Sequence, residues 1–576
     1  MDKITVPNFP AKKLEIGIHS FKNRILKNCI YVDKTRYIYE LIHRESNCFL
    51  SRPRRFGKSL LLSTLKEIFS GNKELFKNCW IYDKIDWETY TIIHLDFINV
   101  DFKSIGLERA MHHALDSLAK PFHVKFSKET IKEKFLELIE TLSKDKPVVI
   151  LIDEYDKPIT EYIEDIPEAE KNRDILKNFY SVLKSQVSNI RFLLITGVSK
   201  FSRVSIFSDL NHLADISIDQ NYSMMLGYTA EEIEYYFSDY IEEWVKRNGQ
   251  NRKVLFEKLK NHYNGYSWDG INFVYNPFSI LSFFRTYSFR NYWFATGSPT
   301  FLVRKLKNTD ISIDQYECLN VDDSFFEKFD ISDLDISVLL FQTGYLTIKA
   351  VEDDGYILSY PNREVRESFL RYLLEGYSGK SAIDIKPITK KIRQALNDKK
   401  IDDFIQYMKI LLSSIPYNIQ IENREAYYHS LFYIALRLSM MEVQCEIQSA
   451  MGRSDIIVMA DRYIYVIEFK FGSAASALDQ IEAKKYYAPY LDNNKKIILL
   501  GIGLNASERN IGEWKMRVLG KDRPKIKRKP TKDAIEEVKR EEKREMAKRM
   551  LDKHYSIEEI IALTGLSEEE IRKTGA

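Results

Sequence analysis

The sequence predicts an α/β protein of several domains: a helix-covered parallel sheet, a helical and winged-helix-like segment, a second α/β unit and a basic helical tail. Three observations carry this expectation. At 576 residues the chain exceeds what one hydrophobic core supports. Up to about residue 225, short apolar runs alternate with helical patterns, as they do where helices cover both faces of a parallel sheet. Beyond residue 425 a second set of apolar strands gathers around a hairpin that carries carboxylates.

In chain order, the first unit is expected to hold strands at 47–50, 91–97, 148–153 and 191–198, with helices such as 59–69 and 129–142 between them. From about 228 the pattern turns helical and aromatic, opening at Thr229-Ala-Glu-Glu-Ile and running through NPFSILSFF. Residues 336–360 alternate like two strands around Asp353-Asp354-Gly355, with helices on both sides, which is the winged-helix-like feature. Helices fill roughly 381–415. Helix 425–439, strand 442–448, hairpin 454–471, helix 474–487 and strand 496–503 then give an α-β-β-β-α-β order. The expected domains are 1–227, 228–380, 381–420, 421–520 and 521–576.

Composition narrows the function classes. Hydrophobic residues at 44% and charged residues at 29% are ordinary for a soluble globular protein. A net charge of +3 means that any nucleic-acid surface must be a local patch. The five cysteines (Cys29, Cys48, Cys79, Cys318, Cys445) are scattered, with no pair at a metal or redox spacing, which suits the cytoplasm. The first 17 residues lack the apolar core of a signal peptide, and no apolar run is long enough to span a bilayer, so no membrane role is expected.

Gly57-Lys58-Ser59 lies in CFLSRPRRFGKSLLLSTL, between a predicted strand and a predicted helix. A phosphate-binding loop needs this context, because loop N–H groups and a helix N-terminus together favour anions. Lys58 is placed to reach the β- and γ-phosphates of ATP, and Ser59 to bind Mg²⁺. Arg52 stands where the usual first glycine falls, and the loop adds Arg54 and Arg55, which suit phosphate clamping. Taken alone, GKS is equally a helix-capping turn. The run VVILIDEYD supplies the second half: five apolar residues end in Asp153 and Glu154, a Walker B pattern. At the C-terminal end of a strand in an open sheet, Asp153 would hold Mg²⁺ and Glu154 would orient or activate water. A further strand, RFLLITGVSKFSR, ends in Thr196 and Ser199, suited to sensing the γ-phosphate, with Arg203 as a candidate arginine finger. For these three, loop capping and surface charge are the plainer reading.

YVDKT at 31–35, FLSRPRRFGKS, IDEYDKPI, TGSPTFL at 296–302 and FQTGYLTIK together resemble the AAA-ATPase-like family of mostly bacterial proteins, over roughly residues 5–380. The resemblance implies a degenerate P-loop ATPase module commonly followed by a nuclease-superfamily module. Asp33 and Lys34 match the family motif without a role that their chemistry supplies.

Residues 454–471, SDIIVMADRYIYVIEFKF, read as two strands around Asp461-Arg462. If Ala460 faces Tyr463 across a two-residue turn, Asp455 falls directly opposite Glu468. Directly opposed like charges repel, and a hard cation such as Mg²⁺ answers that repulsion. Lys470 shares the face of Glu468, because strand side chains alternate. Asp455, Glu468 and Lys470 then form a catalytic cluster, with metal-activated water attacking phosphorus and Lys470 orienting it or stabilising the developing charge. Glu468-x-Lys470 alone is more simply a surface ion pair, but its apolar flanks and the matching register of Asp455 favour the cluster.

This unit resembles the PD-(D/E)XK nuclease superfamily, which implies a restriction-endonuclease-like fold, with GRSD (452–455) and IEFKF (467–471) at its metal motifs and Gln480 on the following helix. Glu446 matches an acidic position before the Gly-Arg-x-Asp motif, and Glu425 is a candidate first-helix carboxylate. Surface or capping roles suit both equally, and His429 needs no chemistry. In the tail, Lys525 to Lys529 are the better phosphate contacts, while the interleaved glutamates that follow suit a solvated helix. SIEEIIALTGLSEEEIRKT looks like a helix-turn-helix whose acidic second helix favours protein contact over DNA. The expected function is ATP binding and hydrolysis controlling a Mg²⁺-dependent nuclease, with nucleic acid as partner (DNA ahead of RNA) and a homo-oligomer as a further expectation. Similar bacterial proteins suggest mobile-element or defence biology. The alternative is a nucleotide-dependent scaffold whose nuclease-like unit does not cut, and Arg52 keeps it open.

Overall fold

Strand β1 (Asn47–Ser51) pairs in parallel with β4 (Ile190–Gly197) on one side and with the short β5 (Ala214–Asp215) on the other. Adding β2 (Ile92–Asp96) and β3 (Val148–Asp153) completes a five-stranded parallel sheet of order β2-β3-β4-β1-β5. This computed structural model describes residues 12–200, 213–293, 302, 305–306, 313–327, 335–378, 382–413, 425–449, 452–519, 547, 551, 556–568 and 571. Every residue of β3 is buried, which is why VVILID is an unbroken apolar run up to its acid. β5 is two residues long, too short to leave a periodic signal in sequence. Helices α1 (Thr35–Arg44), α2 (Lys58–Phe69), α3 (Leu107–Ala119), α4 (Ile131–Leu142) and α5 (Ile166–Tyr180) complete this unit.

The helical segment begins with α6 (Ala230–Tyr236), whose first turn is closed by a reciprocal capping box between Thr229 and Glu232. With α7 (Ser238–Asn248), α8 (Arg252–Tyr263) and α9 (Pro277–Thr286) it encloses an aromatic core that includes Phe237, Trp244, Tyr263, Phe283 and Phe284. Here one expectation is corrected. Residues 336–343 are not a strand but α10 (Ile336–Thr343), started by Asp335, which accepts the Ser337 N–H at 2.7 Å, and ended by Gly344 at φ 89°. A short apolar run reads as strand or helix, and its caps decide. The hairpin that follows is real: β7 (Thr347–Glu352) and β8 (Gly355–Ser359) join β6 (Leu319–Val321) in an antiparallel sheet of order β6-β8-β7.

Helices α11 (Arg363–Ser378), α12 (Ala382–Asn397) and α13 (Ile401–Ser413) lead to the second α/β unit. It runs α14 (Glu425–Leu438), β9 (Glu442–Ser449), β10 (Gly452–Met459), β11 (Tyr463–Phe471), α15 (Ala474–Lys484) and β12 (Lys496–Asn505). An edge strand absent from the sequence expectation, β13 (Asn510–Leu519), extends its sheet to β13-β12-β11-β10-β9. Largely exposed along its length, β13 lacks the buried face that periodicity detects. β11 is tied to the preceding helices: the Tyr465 hydroxyl donates to the Leu396 carbonyl at 2.6 Å, and the Asp461 N–H to Asn397 Oδ1 at 3.1 Å.

Residues 1–517 form one compact unit and 518–576 another. In the second, Ala547, Ile560, Leu566 and Ile571 make a small core around the helix Ile557–Thr564, which ends before Gly565 at φ 67°. The basic segment 525–529 lies outside the described residues. No helix among the described residues is long and apolar enough to cross a membrane.

Candidate nucleotide and metal sites

Gly57 stands at φ 99°, a left-handed conformation that favours glycine, and turns the chain from β1 into α2. Lys58 is the first helical residue and is buried. Its ammonium donates to the loop carbonyls of Arg52 at 2.7 Å and Pro53 at 3.2 Å. Burial pushes its pKa down, and the charges of Asp153, Glu154 and Asp156 pull it up. Ser59 is half-buried in the same turn, while Arg54 and Arg55 are exposed. Arg55 holds φ 71° and lays its guanidinium over the Phe278 ring at 4.8 Å.

The strand order places β4 between β1 and β3, and so Thr196 lies between the loop and the acids. Its hydroxyl donates to Asp153 Oδ1 at 2.6 Å. Glu154 follows β3 at φ 52°, an uncommon conformation for a non-glycine residue, and pairs with Lys157 at 3.5 Å. The rest of the IDEYD motif braces the end of β4. The Tyr155 ring fills the space where a Cβ on Gly197 would lie. Asp156, buried, accepts the N–H groups of Val198 (3.1 Å) and Ser199 (2.7 Å). Burial raises the pKa of Asp156, against those N–H groups and Lys58. Asp156 was missed in sequence, although the third acid of IDEYD was its one signal. Arg203 lies outside the described residues.

Arg52 turns away from the loop. Its guanidinium donates to the carbonyls of Ser51 (2.9 Å), Ser217 (2.5 Å) and Tyr222 (3.5 Å) and lies 4.0 Å from the centre of the Trp268 ring. The side chain is 1% exposed, and burial lowers its pKa to about 9. Arg52 thus ties the start of the loop to the helical segment. Restoring the missing glycine should therefore harm the protein: Arg52→Gly is expected to cost about 3 kcal/mol, measured by urea unfolding, because three buried carbonyls lose their donor.

The helical segment approaches the loop elsewhere too. A Cβ on Gly344 would meet the Pro53 ring at 2.7 Å, and the Trp293 indole N–H donates to the Arg54 carbonyl at 3.2 Å. The backbone N–H of Trp293 donates to Glu364 Oε1 at 2.8 Å, and the Ser279 hydroxyl to Glu364 Oε2 at 2.7 Å. Glu364 is fully buried, which raises its pKa from 4.5 to about 7. A raised carboxyl pKa contributes stability that is complete below pH 4.5 and lost as pH rises through about 7. Glu364→Gln, which stays neutral, should therefore gain on the wild type between pH 5 and 8 by up to about 3 kcal/mol in thermal unfolding. No sequence signal marks this residue, because its burial arises from distant segments.

In the second unit, the Ala460 N–H donates to the Tyr463 carbonyl at 2.9 Å, and Met459 pairs with Ile464 and Ile456 with Ile467. Asp455 precedes the last of these pairs on β10, and Glu468 follows it on β11. On the other side of β10, Ser454 pairs with Ile447 and Ile456 with Cys445, which bracket Asp455 against Glu446. Glu468 is 1% exposed, and the Gln480 amide N–H donates to its Oε1. Glycine makes this possible: Gly501 pairs with Glu468, and a Cβ there would run into the Ala474 carbonyl of α15, the helix that carries Gln480. Lys470 is half-buried, and its ammonium has no hydrogen bond or ion pair among the described residues. Phe469 points to the other face, against Phe432 of α14 at 4.6 Å. His429 is structural: its Nδ1 lies 3.1 Å from buried Asp314. Glu425 is the first residue of α14. Among the described side chains no group of three His, Cys, Asp or Glu is arranged for a metal.

The YVDKT motif also acquires a role. Asp33 accepts the N–H groups of Thr35 at 2.9 Å and Trp80 at 2.6 Å, and buried Lys34 donates to the Met224 carbonyl at 2.8 Å and pairs with Glu232 at 2.6 Å. It pins the N-terminal segment to the start of α6.

A parallel sheet ending in a lysine loop and an acid pair, followed by a sheet with a buried carboxylate, defines a class of ATPase-like proteins with an attached nuclease-like unit. Residues 15–207 match the family described as predicted AAA-ATPase, and residues 423–514 match the PD-(D/E)XK nuclease superfamily. The chain belongs to this family of predicted AAA-ATPases with a C-terminal nuclease-superfamily domain. It is 35% identical over 525 residues to a protein of Azotobacter chroococcum mcd 1 described as an uncharacterized protein in the vnfD 5' region, across 88% of this chain and 99% of that one. No solved structure matches it.

Proposed function

We propose that the chain binds and hydrolyses ATP at the Gly57–Ser59 loop and that its C-terminal unit is a Mg²⁺-dependent nuclease acting on nucleic acid, DNA ahead of RNA. The observation that carries the nuclease half is Glu468: a buried carboxylate, held by Gln480, with Lys470 on the same face and Asp455 on the paired strand β10. Such a carboxylate calls for a cation, and an unpaired lysine beside it suits a phosphate. Asp455 and Glu468 would hold Mg²⁺, with Glu446 as third carboxylate. When bound, the ion supplies charge stabilisation and an activated water. Lys470 orients the phosphodiester and stabilises its developing charge.

At the loop, Lys58 exchanges two backbone carbonyls for phosphate oxygens. Arg54 and Arg55 are placed to clamp the phosphates from outside. Ser59 and Asp153 would hold a second Mg²⁺, Thr196 positions the Asp153 carboxylate, and Glu154 orients water. The helical segment with its β7–β8 wing acts as a lid on the loop. In an assay with Mg²⁺ and ATP, the full chain is expected to cut DNA, and Asp455→Ala to leave it intact. Intact DNA and RNA with the wild type would defeat the nuclease reading. The alternative, a nucleotide-dependent scaffold, is favoured by Arg52 in place of a loop glycine; it requires Mg²⁺ affinity to be indifferent to Glu468→Ala.

A further inference from the structure

Helix α14 opens the second α/β unit, and His429, Tyr433 and Arg437, four residues apart, recur on one of its faces. That face meets the short turn Ile313–Glu317 of the helical segment. His429 lies beside buried Asp314, and Ser430 Oγ accepts the Ile313 N–H at 3.1 Å. The Tyr433 hydroxyl donates to Glu317 Oε1, and Arg437 pairs with the same oxygen at 3.0 Å. From the same helix, Tyr428 and Phe432 pack on Phe471 and Phe469 of β11. Phe469 sits between Glu468 and Lys470, so a shift of α14 is felt by the strand that carries both.

Glu317 has a second grip. Its Oε2 pairs with Arg366 of α11 at 3.6 Å. Arg366 stands two residues after Glu364, and residues two apart on a helix point about 200° from each other. The first turn of α11 therefore faces two ways. Through Glu364 it holds the Trp293 N–H, and Trp293 donates its indole N–H to the Arg54 carbonyl of the phosphate loop. Through Arg366 it holds Glu317, and with it α14. A chain of direct contacts thus runs from the loop to the strand of Glu468, and one half-buried carboxylate joins its two helices. Closely packed helices shift as bodies rather than deform, so movement at one end of such a chain reaches the other.

We propose that Glu317 is a positioning residue that couples the phosphate loop to the nuclease-like unit, by holding the first turn of α11 against α14. The inference rests on the nucleotide and nuclease readings above and adds the contact through which the first acts on the second. When Lys58 exchanges the Arg52 and Pro53 carbonyls for phosphate, the neighbouring Arg54 carbonyl moves with them. Trp293 carries that shift to α11, and Glu317 passes it to α14 and β11.

The test measures DNA cleavage by the full chain at fixed free Mg²⁺, with and without a non-hydrolysable ATP analogue. The proteins are the wild type, Glu317→Gln, Arg366→Gln and the double variant. The analogue should change the wild-type rate at least about fivefold, the lower end of ordinary coupling between sites. Each single variant should bring that change to within about twofold, while cleavage without nucleotide and affinity for the analogue stay within about threefold of the wild type. Arg366→Gln leaves Tyr433 and Arg437 on Glu317, which separates lost coupling from a lost dock. The double variant should lose no more than either single one, because both changes cut one contact. A fivefold change that survives in either single variant overturns the proposal, whether or not cleavage itself falls, since a structural prop lowers both rates alike. A wild-type rate indifferent to the analogue overturns the coupling and leaves the nuclease reading standing. No cleavage under any condition, by protein that binds the analogue, removes the nuclease reading and this inference together.

Discussion

Lys58→Ala should lower ATP turnover at least about 100-fold and remove the thermal stabilisation given by ATP. Lys58 is the one cation of the loop that is both buried and directed inward, bonding the Arg52 and Pro53 carbonyls while burial lowers its pKa against the pull of three nearby carboxylates. Incoming phosphate oxygens are stronger acceptors than those carbonyls, so the exchange favours nucleotide. Alanine removes the charge, and Arg54 and Arg55, both exposed, cannot replace it from outside. Lys58→Arg should rescue little, because a planar guanidinium does not fit a site shaped for a compact ammonium. Turnover equal to wild type in Lys58→Ala would remove the loop from the mechanism. Unfolding without nucleotide separates a lost site from a lost fold.

Glu468→Gln should lower Mg²⁺-dependent cleavage by about 100- to 1000-fold while preserving the fold. The substitution keeps shape and removes charge at a residue 1% exposed, so the sheet has no reason to move. Without metal, the variant should unfold at an equal or higher temperature, since a neutral amide replaces a buried carboxylate. Added Mg²⁺ should stabilise the wild type and leave the variant unchanged. Undiminished cleavage by Glu468→Gln would place the chemistry elsewhere. Unchanged Mg²⁺ stabilisation would take the cation away from this carboxylate.

Much of the fold around both candidate sites was legible because its signals are local. Gly57-Lys58-Ser59 needs only a strand before it and a helix after it, and both are present. VVILIDE announces a buried strand ending in acid, and the Asp461-Arg462 turn sets the hairpin register by counting. Elsewhere local patterns misled or said nothing. Residues 336–343 are helical because Asp335 and Gly344 cap them, against an apolar pattern that also suits a strand. β13 is exposed and leaves no periodic trace.

The amino-acid sequence by itself determines the two α/β units, the lysine loop, the acid at the end of β3 and the alternation that puts Glu468 and Lys470 on one face. Each depends on residues within a single turn or hairpin. Only the tertiary structure decides that β4 runs between β1 and β3, which joins Thr196 to Asp153. It alone turns Arg52 toward Ser217 and Trp268, buries Glu364 beneath Trp293, and sets Glu317 between α11 and α14. Those features arise where segments far apart in the chain exclude water together. Burial of that kind is a property of the packed whole, and no local spacing encodes it.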